Sequence, residues 1–196
     1  MAHQIPQAVN AIATPRIYVP NIDGEIIQVQ AGEQLFHIHE GVLRQYLFFI
    51  DAIKPECVSG RNGKPIDLSN ENAITFAAYQ QYLYSHQTDT TLNEHLWYRM
   101  YVLREMLMDV EFQDAVLDVI MSGYHESGLF PHPTEIAIIF EGTTENSPAR
   151  ALFVDFFCLQ KQGLDVIQYN NYFHRVPADF NKHLLTVLLQ NQIEIN

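Results

Sequence analysis

The sequence of 196 residues predicts an α+β fold: a small β-sheet, made of a hairpin plus one short strand, packed on a cluster of α-helices and followed by a helical extension. Three observations predict it. Phe36 and Ile38 alternate as on a half-buried strand, because side chains two apart share a face. From His39 the period lengthens, and Leu43, Tyr46, Leu47, Ile50 and Ile53 recur at helical spacing. A second short apolar run, Ile66–Leu68, then leads into a helix carrying Ala73, Phe76, Ala77, Leu83 and Tyr84. Few strands and many helices in that order give helices gathered on one small sheet.

Taken in order, residues 1–16 hold Gln, Ala and Pro without period and read as a flexible N-terminal tail. Residues 17–19 read as a short strand stopped by Pro20. Asp23-Gly24 signals a turn, residues 25–30 a strand, and Ala31-Gly32-Glu33 a second turn into the strand at 35–38. Strands so close in sequence pair most simply as an antiparallel hairpin. The first helix ends near Ile53, since Pro55 disfavours helical geometry at Lys54. Residues 57–65, with Gly60, Asn62 and Gly63, read as a loop. Ser69 or Asn70 is placed to cap the following helix, which ends between 85 and 90.

Thr91 and Glu94 have capping-box spacing and open a helix striped with Leu96, Met100, Leu103, Met106 and Leu107. Asp109 caps the next one, whose apolar face is Phe112, Ala115, Val116, Val119 and Ile120, with Gly123 as its stop. Gly128, Pro131 and Pro133 mark a loop over 124–133. Helices follow at 134–141, after Ser147-Pro148 with Ala149, Leu152, Phe153 and Phe156 inward, and after Pro177 with Phe180, Leu184, Val187 and Leu188 inward. The expected organisation is a tail over 1–16, a domain over 17–123 and a helical extension over 124–196.

Composition excludes several classes. The formal charge is −12, from 23 acidic and 11 basic residues, and such a surface repels phosphate backbones, so no nucleic-acid partner is expected. The longest apolar runs fall far short of a membrane span, so no membrane partner is expected either. Cys57 and Cys158 are too few for a disulfide framework. Residues 1–15 carry no basic segment and no continuous apolar core, which places the expected protein inside the cell, in cytoplasm or nucleus.

The ordered set Phe36-x-Ile38-His39-x-x-Val42-Leu43, Ile66-x-Leu68, Phe76 and Tyr82-Leu83-Tyr84 resembles the BTB/POZ domain. Residues 100–106 and 112–118 are similar to two later helices of that family. Residues 140–155, with Ser147 and Arg150, resemble the C-terminal extension of fungal BTB proteins, and residues 176–180 resemble that extension's closing helix. The resemblance implies a non-catalytic protein-interaction module without a cofactor, whose partner is a second copy of itself or another protein. Within the family it also implies an adaptor for a cullin-type ubiquitin ligase. Such adaptors use a hydrophobic-x-Glu element after the first helices, and here the nearest match is Lys54-Pro55-Glu56.

Candidate sites are few. Tyr82, Tyr84, Tyr98 and Tyr101 are candidate interface anchors, because clustered exposed aromatics carry binding energy. Pro55 and Glu56 join them as candidate partner-binding residues. His37 and His39 share a strand face in a way that suits a metal, yet no third ligand lies nearby, so a metal protein or small enzyme is the rival class and no metal site is assigned. His39 fits better as a partly buried helix-start residue. Gly60 to Lys64 has the flavour of a phosphate loop, but Pro65 stands where Ser or Thr is needed. Cys158, between Phe157 and Leu159, reads as core rather than nucleophile, and no nucleophile elbow is present. Glu105, Asp109, Glu111, Gln113 and Asp114 form an acidic stretch that reads as a solvated helix face or a recognition face.

Overall fold

Two strands separated by Gly32-Glu33 begin the fold in the computed structural model, which describes residues 18–88, 94–127, 131–160 and 171–193. Strands β1 (Ile26–Ala31) and β2 (Gln34–His39) pair antiparallel, with Ile27 opposite Ile38 and Val29 opposite Phe36. Gly32 has φ +54°, and a side chain there would press on the Glu71 carbonyl at 3.2 Å, so both backbone and space call for glycine. Strand β3 (Ile66–Leu68) runs parallel to β1, giving the sheet order β2-β1-β3. Val29, Ala31, Phe36, Ile38, Ile66 and Leu68 form the buried face, as period-two alternation requires. The outer edge of β2 is occupied by side chains: Gln80 Nε2 donates to the His37 carbonyl at 3.3 Å, and the His39 amide donates to the Tyr84 hydroxyl at 3.0 Å.

The stretch expected as one helix from 39 to 53 is two, α1 (Glu40–Leu43) and α2 (Leu47–Ala52). Tyr46 is extended at the break, with its ring in the core against Tyr79 and its hydroxyl 3.1 Å from His86 Nε2. The break re-phases the second piece, so Phe49 is buried while Leu47 is exposed. Helix α3 (Pro55–Arg61) replaces the first part of the loop expected over 57–65. Pro55 both holds Lys54 extended and starts α3 as its first residue, where its missing amide costs nothing. The cap of α4 (Ala73–Ser85) is Asn72, whose side chain accepts from the amides of Ile74 and Thr75, rather than Ser69 or Asn70. Of the strand expected over 17–19, Ile17 lies outside the described residues and Tyr18 and Val19 are not in a strand; the segment is tied to α1 and the residues after it through Tyr18 with Gln45 and a Gly41 amide to Asp23 carbonyl bond.

Helix α5 is described over Glu94–Leu107, and its expected cap, Thr91, lies outside the described residues. Asp109 Oδ1 accepts from the Phe112 amide at 3.0 Å and so caps α6 (Val110–Ser127) as expected. Gly123 does not stop α6, which continues four residues further. Helices α7 (Pro133–Gly142), α8 (Pro148–Gln160) and α9 (Ala178–Ile193) follow. On α8 the inward residues are Ala149, Phe153, Val154 and Phe157, with Leu152 and Phe156 only half-buried.

One hydrophobic core runs from the sheet through α4, α5 and α6 into α7, α8 and α9. Helix α5 is its axle, packed against α4, α6 and α7. Among its fully buried members are Phe49, Phe76, Tyr79, Tyr101, Phe112, Phe153 and Phe180, each contributing roughly 1.5–3 kcal/mol by burial. Phe36, Leu43, Leu68, Phe76 and Leu83 all lie in this core. Among the described residues, no helix is long and apolar enough to cross a membrane.

Candidate protein-interaction surface

Three of the four candidate anchor tyrosines are interior. Tyr82, Tyr98 and Tyr101 are buried, and Tyr84 is half-buried. They are therefore corrected from surface anchors to core residues. Each phenol is long enough to reach a polar partner while its ring fills apolar space. Tyr84 bonds the amide and Nδ1 of His39; Tyr98 shares a 2.6 Å hydrogen bond with Tyr124; Tyr101 accepts from Gln113 Nε2. Tyr82 stacks on His86 and packs against Phe112. Composition alone cannot separate such tyrosines from interface aromatics, and helical spacing does not help, because none of the four has apolar residues three or four positions away on both sides.

The acidic stretch on α5 and α6 also divides. Asp109 is buried: Oδ2 accepts from Tyr79 at 3.0 Å, and its backbone carbonyl accepts from Arg104 Nε at 2.6 Å. Burial pushes its carboxyl above the usual carboxylate range, against the lowering effect of the Phe112 amide and Tyr79. The same burial holds the Tyr79 phenol well above its ordinary value. Gln113 is buried beside Tyr101. Glu105 reaches across to the start of α8, accepting from Ser147 Oγ at 2.6 Å and from the Thr144 amide at 3.3 Å. Only Glu111 and Asp114 remain as exposed members of the stretch.

Ser147 and Arg150 are buried structural residues at the corner between α7 and α8. Arg150 Nη2 donates to the carbonyls of Phe140 and Thr143, its Nε to Thr143 Oγ1 at 3.1 Å, and its guanidinium lies 4.9 Å from the Phe140 ring centre. A second buried seam runs Tyr98, Tyr124, Glu135, with the Tyr124 hydroxyl donating to Glu135 Oε2 at 3.1 Å and the His132 amide to the same oxygen at 2.6 Å.

The histidine pair does not build a metal centre. His37 is exposed with Nε2 3.4 Å from the Gln28 amide nitrogen, while His39 Nδ1 faces the Tyr84 hydroxyl at 2.8 Å. Among the described residues, no three His, Cys, Asp or Glu side chains come together as metal ligands would. Cys57 is exposed on α3 and Cys158 is half-buried on α8.

What the surface does offer is apolar. Pro55, Glu56 and Val58 are exposed along α3. Val19 and Ile22 are exposed on the segment over α1, with Ile26 beyond them and Leu47 two residues past Gln45. Met106, Met108 and Val110 are exposed together at the turn between α5 and α6. A cleft of about 270 Å³ lies between α8 and α9, floored by Pro148, Ala151, Val154 and Val187. The class these features define is an α+β protein with hydrogen-bonded polar side chains in its interior and exposed apolar side chains on several segments. The chain matches no family model, no curated protein and no solved structure.

Proposed function

We propose that the chain is a non-catalytic protein-interaction module of BTB/POZ type, acting inside the cell by self-association or scaffolding. The observation that carries this reading is the order of parts: a hairpin, short helices, a third strand parallel to β1, a capped helix, then the α5–α6 helical hairpin, with the resemblance residues seated inward. Val19, Ile22, Ile26 and Leu47 are exposed apolar side chains that a second copy would cover. Light scattering tests it: a dimer is expected that dissociates when Leu47→Asp is introduced. A strict monomer at high protein concentration overturns self-association.

The second reading is a cullin-ligase adaptor, favoured by Pro55 and Glu56 standing exposed in the first turn of α3. Calorimetric titration with the N-terminal domain of a BTB-binding cullin is then expected to show submicromolar binding weakened by Glu56→Lys. No heat of binding removes this reading and leaves the scaffold.

A further inference from the structure

The turn between α5 and α6 is built against local preference. Three non-glycine residues have positive φ: Asn62, His86 and Met108. All three follow or end helices, where one left-handed residue lets the last carbonyls find donors. Asn and His are among the side chains that enter this region more readily; methionine is not. Met108 has φ +56°, and the Asp109 amide closes the turn on the Arg104 carbonyl at 3.4 Å, a closure glycine makes without strain. The methionine side chain is not used as core, for it is 53% exposed. Met106 and Val110, on either side, are 40% and 61% exposed. Burial within the chain does not account for an exposed apolar side chain at a left-handed position between two more.

Charge next to the patch specifies the partner. Glu111, Asp114 and Asp118 are exposed along α6 at intervals of three and four, so they stand in one row about 10 Å long. None of the three takes part in an ion pair among the described residues. Arg104, the nearest cation in sequence, is buried with its Nε on the Asp109 carbonyl. We propose that Met106, Met108 and Val110 with this acidic row form a docking surface for a basic amphipathic helix of a partner protein. Its apolar stripe packs on the flexible methionines, which adapt to an irregular partner face. Lysines or arginines on the same helix, repeating at the same three-to-four spacing, meet Glu111, Asp114 and Asp118. The proposal rests on the interaction-module reading and names the partner for one of its surfaces.

The test uses the full chain and a labelled Leu/Lys amphipathic helical peptide, followed by fluorescence anisotropy. A Leu/Glu counterpart and a scrambled Leu/Lys peptide without an apolar face are the controls. Wild type is expected to bind the Leu/Lys helix and neither control. Met108→Asn with Val110→Ser, which removes apolar surface and no charge, is expected to weaken binding at least tenfold while the variant melts no lower than wild type. Glu111→Lys with Asp114→Lys is expected to weaken it similarly. Unchanged affinity in the apolar variant, or equal binding of the scrambled peptide, reduces the effect to attraction by an acidic surface and overturns the proposal. No peptide binding, with dimers seen by light scattering that the apolar variant breaks, makes the occupant a second copy and also overturns it. No peptide binding with an intact dimer sinks this surface alone, whereas a strict monomer that binds no cullin sinks the module reading.

Discussion

Asp109 joins three elements through one side chain and its carbonyl: Tyr79 of α4, Arg104 of α5 and the Phe112 amide of α6. Its role as a helix cap was legible in the sequence, because a short acceptor ahead of an apolar period reads that way. That the same carboxylate is buried and serves Tyr79 was not legible, since the two residues meet only in the packed fold. Burial raises its pKa in the folded state, so the folded protein binds a proton there more readily than the unfolded chain. Its contribution to stability is therefore fully present below the unfolded pKa and is lost as pH rises through the folded one. Glu71, also raised by burial, acts with the same sign. In urea denaturation, acidification from neutral pH through the carboxylate range is expected to favour folding less in Asp109→Asn than in wild type. Identical pH profiles would show that Asp109 does not titrate in this window.

The α7–α8 corner is held by two charged side chains. Arg150 places its cation on the last carbonyls of α7, matched to the sign of that helix terminus, and Glu105 accepts from Thr144 and Ser147 just ahead of α8. Ser147-Pro148 was readable as a helix start, and the fungal-type resemblance pointed at Ser147 and Arg150. Glu105 was not readable, as its partners lie 39 and 42 residues further along the chain. Arg150→Ala leaves the Phe140 and Thr143 carbonyls short of donors, and is expected to lower the unfolding free energy by about 2–4 kcal/mol. Arg150→Lys, with one compact charge in place of a planar fork, is expected to recover only part of this. Loss of less than about 0.5 kcal/mol in the alanine variant would mean that water replaces the guanidinium at no cost.

At the scale of the molecule, the described helices of the expected extension pack on the helices before them. Helix α7 packs on α5, and both seams of buried polar groups cross from α5 and α6 to α7 and α8. The single tryptophan, Trp97, sits buried on α5 at this junction. Its fluorescence and the far-UV circular dichroism are expected to report one coincident unfolding transition; two separated transitions would mean that the two parts unfold independently. Element types were legible because periods of two and of three to four survive in the apolar residues. The break at Tyr46 was hidden because Leu43, Tyr46 and Ile50 keep helical spacing across it, and the tyrosines were misplaced because burial depends on what covers them. The edge of β2 has one more consequence. A sheet grows sideways only where amides and carbonyls wait unpaired, and here Gln80 and Tyr84 already answer His37 and His39. An incoming chain cannot be recruited as a fourth strand on that side without prising α4 away.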